Sequence, residues 1–288
     1  MVKTMQAVVV EEEVKTKTDL VPTDMLEEFA VDAGAGVSTA ADDNIVPFIV
    51  LLQDLSPEVK KRDPNYIEGA EAGMHMNRAT KALYAGDKSM AERTGFPQLE
   101  FQHCELDKAV IEWVPRTDGG GFVARHPLQG TVEDTMRRIG GVQMIDPKDP
   151  NKKIWKTADG QHDLIETRYH FGNILNNGNV QPAVLAFSST GHTASRQWMS
   201  VMTGTKLTDK NGTMFIPPAW AKRYVIGSKA RENKKGSFFV TTVEDGGFIM
   251  SKAVRAAGKA LHEAAKAGTV TAAADETAGA GNDVSDEI

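Results

Sequence analysis

Short stretches that alternate apolar and polar residues, each ended by Gly, Pro or Asp-Gly, constrain this chain more than any other feature. In residues 110–126, Val110, Glu112 and Val114 alternate with Ile111 and Trp113, the period-2 pattern of a pleated segment, and Pro115 ends the ladder. "FPQLEFQHCEL" alternates too, with Leu99, Phe101 and His103 on one face, so His103 reads as a wall residue. "GMHMNRATKALYAGDKS" reads as two short strands about a turn. "IWKTADGQHDLIETRYHFGNIL" places Asp-Gly between alternating flanks, a hairpin signal, and the continuous apolar run of "PAVLAFSST" predicts a central strand.

Two helices interrupt these strands. "TASRQWMSVMTG" places Trp198, Val201 and Met202 on one side, with Ser189 or Thr190 as its cap and Gly204 at its end. "SKAVRAAGKALHEAAKAG" carries a narrow stripe of Val254, Ala257, Leu261 and Ala265. The Gly-, Pro- and charge-rich residues 127–153 read as a long excursion from the sheet. Neither βαβ alternation nor an internal repeat is visible. The expected fold is mainly β (α+β), a barrel or sandwich with appended helices.

Charge divides the chain. Its 288 residues carry a formal net charge of −6. Residues 1–47 hold three bases against ten acids, and residues 268–288 hold five acids and no base. Of 33 bases and 39 acids, 30 and 24 therefore remain in residues 48–267, a net of +6. The expected organisation is a flexible acidic segment over 1–44, one β-rich domain over 45–267, and a disordered acidic tail over 268–288. "TDMLEEFAV" is the one helix-like piece of the first segment. No run of about 18 apolar residues exists, so no membrane partner is expected, and the N-terminus is not a signal peptide. A single cysteine, Cys104, rules out an internal disulfide and a Cys-rich zinc site, and fits an intracellular, reducing setting.

Catalytic patterns fail one by one. "TDGGGFVARH" lacks the lysine of a phosphate-binding Walker loop and opens a strand rather than a helix. "FSSTGH" is not a Gly-x-Ser-x-Gly elbow, and its hydroxyls have a ready role at a strand end and helix cap. The seven histidines are scattered; His162 and His170 could share a hairpin face, but two structural histidines explain them better than a metal does. No enzyme activity, cofactor or metal is expected.

Basic residues interleaved with aromatics are the positive signal. "AWAKRYVIGSKARENKKG" holds Lys222, Arg223, Lys229, Arg231, Lys234 and Lys235 against the single acid Glu232, with Trp220 and Tyr224 inside the run and Phe238 and Phe239 after it. It reads as a strand followed by a Lys/Arg-rich loop. Single-strand binding requires such a surface, because cations track phosphates and exposed rings stack on bases at about 1–3 kcal/mol each. Arg116 and Arg125 bracket the Gly triplet with Phe122 near its tip, either a binding lip or a plain hairpin. Arg196 adds a base beside Trp198, itself better read as core. The acidic tail, with Asp283, Asp286 and Glu287, either competes for the basic groove and docks partners or only solubilises the chain.

Several phrases carry a resemblance: "PFIVLLQDLSPEV", "YIEGAEAGMHMNRAT", "IEWVPR" with "GGGFVARH", "VLAFSSTGHTASRQWMSVM" and "ENKKGSFFVTTVED". Over about residues 46–250 the chain resembles tailed-bacteriophage proteins described as single-stranded DNA-binding. The resemblance implies an OB-like β-barrel with large insertions, single-stranded DNA as partner during replication or recombination, self-association along the strand, and an acidic tail recruiting phage or host replication proteins in the host cytoplasm. The residues it carries over are Arg116, Arg125, Trp220, Lys222, Arg223, Lys229, Arg231, Lys234 and Lys235. The alternative is a phage virion structural or morphogenesis protein.

Overall fold

A computed structural model of the chain describes residues 45–147, 149–176, 179–233 and 236–272, together with Met25 and Val31. The chain divides into two units, Met1–Thr39 and Ala40–Ile288. In the first, Met25 and Val31 are helical and exposed. In the second, one large curled sheet dominates, and the protein is mainly β.

The sheet begins with β2 (Phe48–Leu51), β3 (His75–Asn77) and β4 (Leu83–Tyr84), after the two-residue β1 (Ile45–Val46). Helix α1 (Lys88–Thr94) follows, capped by the Asp87 carboxylate accepting from the Met90 N–H and closed by left-handed Gly95. Next come β5 (Leu99–Val114), β6 (Gly121–Pro127), helix α2 (Val132–Arg138), β7 (Val142–Asp146), β8 (Asp149–Lys156), β9 (Asp163–Asn176) and β10 (Asn179–Ser188). Helix α3 (His192–Gly204), the small hairpin β11 (Leu207–Thr208) and β12 (Met214–Phe215), the long pair β13 (Lys222–Asn233) and β14 (Gly236–Phe248), helix α4 (Lys252–Ala267) and β15 (Thr271–Ala272) complete it. The main order is β14-β13-β5-β9-β10-β2-β3-β4, with β6 on β5 and the β7–β8 ribbon joined to β9. Pairing is antiparallel except between β10 and β2. Parallel β1 and β15 bring the two ends of the described domain side by side, so order continues past residue 267.

Alternation along the strands feeds two apolar layers. Phe48, Val50, Met76, Tyr169, Phe171 and Val184 point to one face, where the C-terminal turn of α4 packs through Ala265. Ile49, Leu99, Phe101, Ile174, Leu185 and Phe187 point to the other, where α3 inserts Trp198, fully buried. A strand buried on both faces reads as a continuous apolar run, which is why "PAVLAFSST" turns out central. In β5 the register shifts between His103 and Glu105, so Cys104 is a bulge residue and the two halves of the strand present opposite parities. Phe101 thus faces α3, whereas Ala109 and Ile111 face the other layer.

The sheet closes through side chains. The buried Gln53 amide donates to the Phe239 carbonyl (3.0 Å) and accepts from the Phe239 N–H (2.8 Å), imitating one rung of a ladder between β14 and the segment after β2. The Ser228 N–H donates to Gly86 O (2.7 Å), and its hydroxyl to Gly73 O (2.5 Å). Gly73, at φ +89°, leaves room for the Phe239 ring; a Cβ there would stand 2.7 Å from it. On the other face α4 lies so close to β5 that Gly258 rests on the Gln102 amide, which donates to Trp220 O (2.9 Å) and Val254 O (3.1 Å).

Several local expectations change. The 127–153 excursion contains α2 and the β7–β8 ribbon; Thr131 and Asp134 form a full capping box, a Thr-x-x-Asp signal present in the sequence. The Asp159-Gly160 turn forms, but its ladder lasts one pair, Lys156–Asp163, because β8 turns away to pair with β7. Neither Ser189 nor Thr190 caps α3: a 3-10 turn over Ser189–Gly191 leads in, with Gly191 at the cap position and no side-chain bond. Val201 is exposed rather than packed beside Trp198.

Candidate nucleic-acid interface

The strand expected to give way to a Lys/Arg-rich loop instead runs on through the bases to Asn233. Tyr224, Ile226 and Ser228 point inward, and Arg223, Val225, Gly227, Lys229 and Arg231 point the other way, so period 2 passes straight through the charges. β13 pairs with β5 only over Arg223–Ile226. Beyond that it continues with β14 alone, a two-stranded arm anchored by Ser228, Gln53 and Phe239. On one face of the arm Lys229 stands opposite Val240, and Arg231 opposite Phe238. Lys229 and Arg231 are exposed and, among the described residues, their side chains have no ion pair or hydrogen bond. Phe238 is half-buried. Lys234 and Lys235 lie outside the described residues.

Other bases of the same run are neutralised. Lys222 is 6% exposed and paired with Asp245. Burial pushes the Asp245 carboxyl up, but hydrogen bonds from Lys222 and the Gly247 N–H outweigh it, and the net shift is downward. Arg223 reaches Glu100 (3.0 Å) and Gly246 O (2.8 Å). Tyr224 is 1% exposed, its ring centroid 5.4 Å from that of Trp198, and burial raises its hydroxyl pKa. It is a core ring, not a stacking platform, because its inward parity in β13 carries it under α3. Trp220 is half-buried beneath α4, 4.8 Å from His262, whose Nδ1 lies 2.7 Å from Glu105 Oε2.

The Gly-triplet hairpin lies at the opposite end of β5 from the arm. Gly119, Gly120 and Gly121 all have positive φ, so the turn itself demands glycine. Arg116 opens this turn, and its side chain lies outside the described residues. Arg125 is paired with Asp107 and sits 5.3 Å over the Tyr169 ring; Phe122 packs edge-on against Trp113 at 5.9 Å. Below them Glu112 accepts from two imidazoles, His162 Nδ1 at 2.6 Å and His126 Nε2 at 3.0 Å. Burial raises the Glu112 carboxyl, the two histidine bonds lower it, and the net shift is downward. The sequence reading sets His162 beside His170, which instead lies under α3; the shared Glu112 partner escapes it because that carboxylate sits 14 residues from His126 and 50 from His162.

Arg196 is exposed on α3, in a shallow groove of about 570 Å³ with Thr193, Gln197, Ser200, Val201 and Val243 of β14. It does not share the arm's basic face. Under α3, His170 stacks on Trp198 (4.6 Å, 2°) and its Nε2 meets Ser195 Oγ at 2.8 Å; His103 lies edge-on to both rings. Burial holds His75 down at about 4, burial and the nearby His262 hold His103 at about 3, and burial first among several causes lowers His170. These imidazoles are neutral core residues. Among the described residues no group of three or more His, Cys, Asp or Glu could hold a metal ion, and no helix is long and apolar enough to cross a membrane. Asp283, Asp286 and Glu287 lie outside the described residues.

A family model described as Pam3 phage gp34-like protein matches residues 15–271. No curated protein and no solved structure matches the chain.

Proposed function

We propose a reading that starts from family membership: the chain belongs to the Pam3 phage gp34-like family and is a phage protein. It is a non-enzymatic protein that binds single-stranded DNA through the β13–β14 arm, in the cytoplasm of the infected host. The observation that carries this is the placing of exposed Lys229 and Arg231, without a side-chain partner among the described residues, opposite Val240 and Phe238 on one face of the arm. Two cations about two residues apart on a strand match successive phosphates, and an adjacent ring offers a base its face. The curled sheet closed by Gln53 supports an OB-like description of the barrel. The acidic residues after Ala272 serve as a docking segment for replication proteins.

The test is fluorescence anisotropy of labelled oligo-dT and a matched duplex at about 50 and about 300 mM salt. Single-strand preference that weakens steeply with salt supports the reading; no binding at the lower salt overturns it. The exposed Met214, Phe215 and Ile216 of the β11–β12 hairpin favour a second reading, a virion structural or morphogenesis protein that buries them against a partner.

A further inference from the structure

A second group of cations and rings without acidic partners lies at the corner where α3, the β11–β12 hairpin and the start of α4 meet. Lys222 stands opposite Phe248 in the β13–β14 ladder, and its Nζ lies 3.3 Å from Thr205 Oγ1, just past the end of α3. Two residues on, Leu207 pairs with Phe215. Beside them the Ile249 N–H donates to Ala221 O (2.9 Å), and Arg255 of α4 donates to Met250 O (2.7 Å). Met214, Ile216 and Met250 are exposed, Phe215 is 44% exposed and Phe248 42%. Lys206, Lys210 and Lys252 are also exposed, and among the described residues their side chains have no ion pair or hydrogen bond. The acids nearby are occupied. Asp209 turns back to accept from the Asn211 and Thr213 N–H groups (2.8 and 2.9 Å), and Asp245 is paired with Lys222. The groove that holds Arg196 adjoins this corner. Val243 in its wall pairs with inward Ile226, on the same face of the ribbon as Phe248, and Val201 lies in the last turn of α3.

We propose that this corner and groove form a second surface for single-stranded DNA. The inference rests on the DNA reading but not on the arm. Three lysines with no carboxylate to give up can take phosphates directly, and Phe215 and Phe248 offer faces to bases. Such a patch of exposed apolar side chains marks an interaction site. A second copy of the same corner fits it poorly, because Lys206, Lys210 and Lys252 would meet their own kind. β14 ends the sheet order, so a strand of DNA held by Lys229 and Arg231 on one face of the ribbon reaches Phe248 on the other by crossing a single edge.

Photo-cross-linking of the full chain to oligo-dT carrying 5-iodouracil, read by mass spectrometry, should mark Phe215. Lys206→Ala with Lys210→Ala and Lys252→Ala, all at exposed positions, should leave the circular dichroism spectrum unchanged. For an oligo-dT of about 30 nucleotides they should lower the salt slope by about 2.1, three single-strand phosphates' worth. Phe215→Ala should weaken the same oligo about 5- to 150-fold, one stacked base's worth, with the slope unchanged. An unmarked Phe215, or binding indifferent to these variants while Lys229→Ala with Arg231→Ala still weakens it, would overturn this surface and leave the arm standing. Corner variants that act where the arm variants do not would keep this surface and overturn the arm. Wild-type protein that binds no oligo-dT at about 50 mM salt overturns both and leaves the apolar corner to a protein partner.

Discussion

The β5–β6 and β13–β14 hairpins carry the same ingredients, arginine and phenylalanine beside a glycine-containing turn, and use them in opposite ways. In the first, Arg125 is held by Asp107 and Tyr169, and Phe122 by Trp113. In the second, Lys229 and Arg231 stand in solvent opposite Val240 and Phe238. A cation already neutralised by a carboxylate has little to give a phosphate, since binding it breaks the existing pair. A basic-aromatic cluster is available to a ligand only where the fold withholds its acidic partners.

The largest effect tests the rigid sheet that both hairpins share. His75, His103 and His170 are neutral when folded and titrate near 6.5 when unfolded, so unfolding takes up protons below that pH. Their folded pKa values are depressed, so these three groups add no pH dependence above about pH 6.5 and lower stability as pH drops below it, by at most about 1.4 kcal/mol per unit for each imidazole. Urea unfolding at pH 7 and pH 5 should show a midpoint loss that His103→Gln reduces. An unchanged midpoint would place these rings in water and remove the common frame.

A smaller effect separates the arm from the sheet. Gln53→Ala leaves the Phe239 N–H and carbonyl without their clasp, at about 1–3 kcal/mol. Hydrogen exchange should quicken at the root of β13 and β14 and stay unchanged in β5–β6. Uniform acceleration would mean that the two hairpins do not open independently.

The finest test sets one hairpin against the other in binding. Lys229→Ala with Arg231→Ala should lower the salt slope for oligo-dT by about 1.4, two single-strand phosphates' worth. Arg125→Ala should leave the slope unchanged and lower the melting temperature slightly, as expected for a partly exposed pair worth about 0–1 kcal/mol. If Arg125→Ala alters the slope as much, the pinned hairpin also touches the strand and the contrast fails.

Legibility followed interaction range. The strand at residues 182–188, the Asp-Gly turn, helix α4 and the core position of Trp198 were all readable, because each follows from residues within a turn or two. The caps at Asp87 and Thr131 were equally local and went unread beneath the Gly- and charge-rich composition around them. The candidate site was half legible. The basic run was visible; its conversion from loop to strand was not, because inward Tyr224 and outward Arg223 acquire their sides only when β13 pairs with β5.

By itself the sequence determined the mainly-β class, the acidic ends around a basic body, and the residues from which an interface could be made. Only the tertiary structure decided which bases remained available. Asp107 neutralises Arg125 from 18 residues away and Glu100 reaches Arg223 across 123, while Lys229 and Arg231 run past the end of β5, beside Val240 and Phe238 of β14 and with no acidic partner among the described residues. Periodicity is written between near neighbours, but charge pairing depends on strand register, and register is set by the packing of the whole sheet.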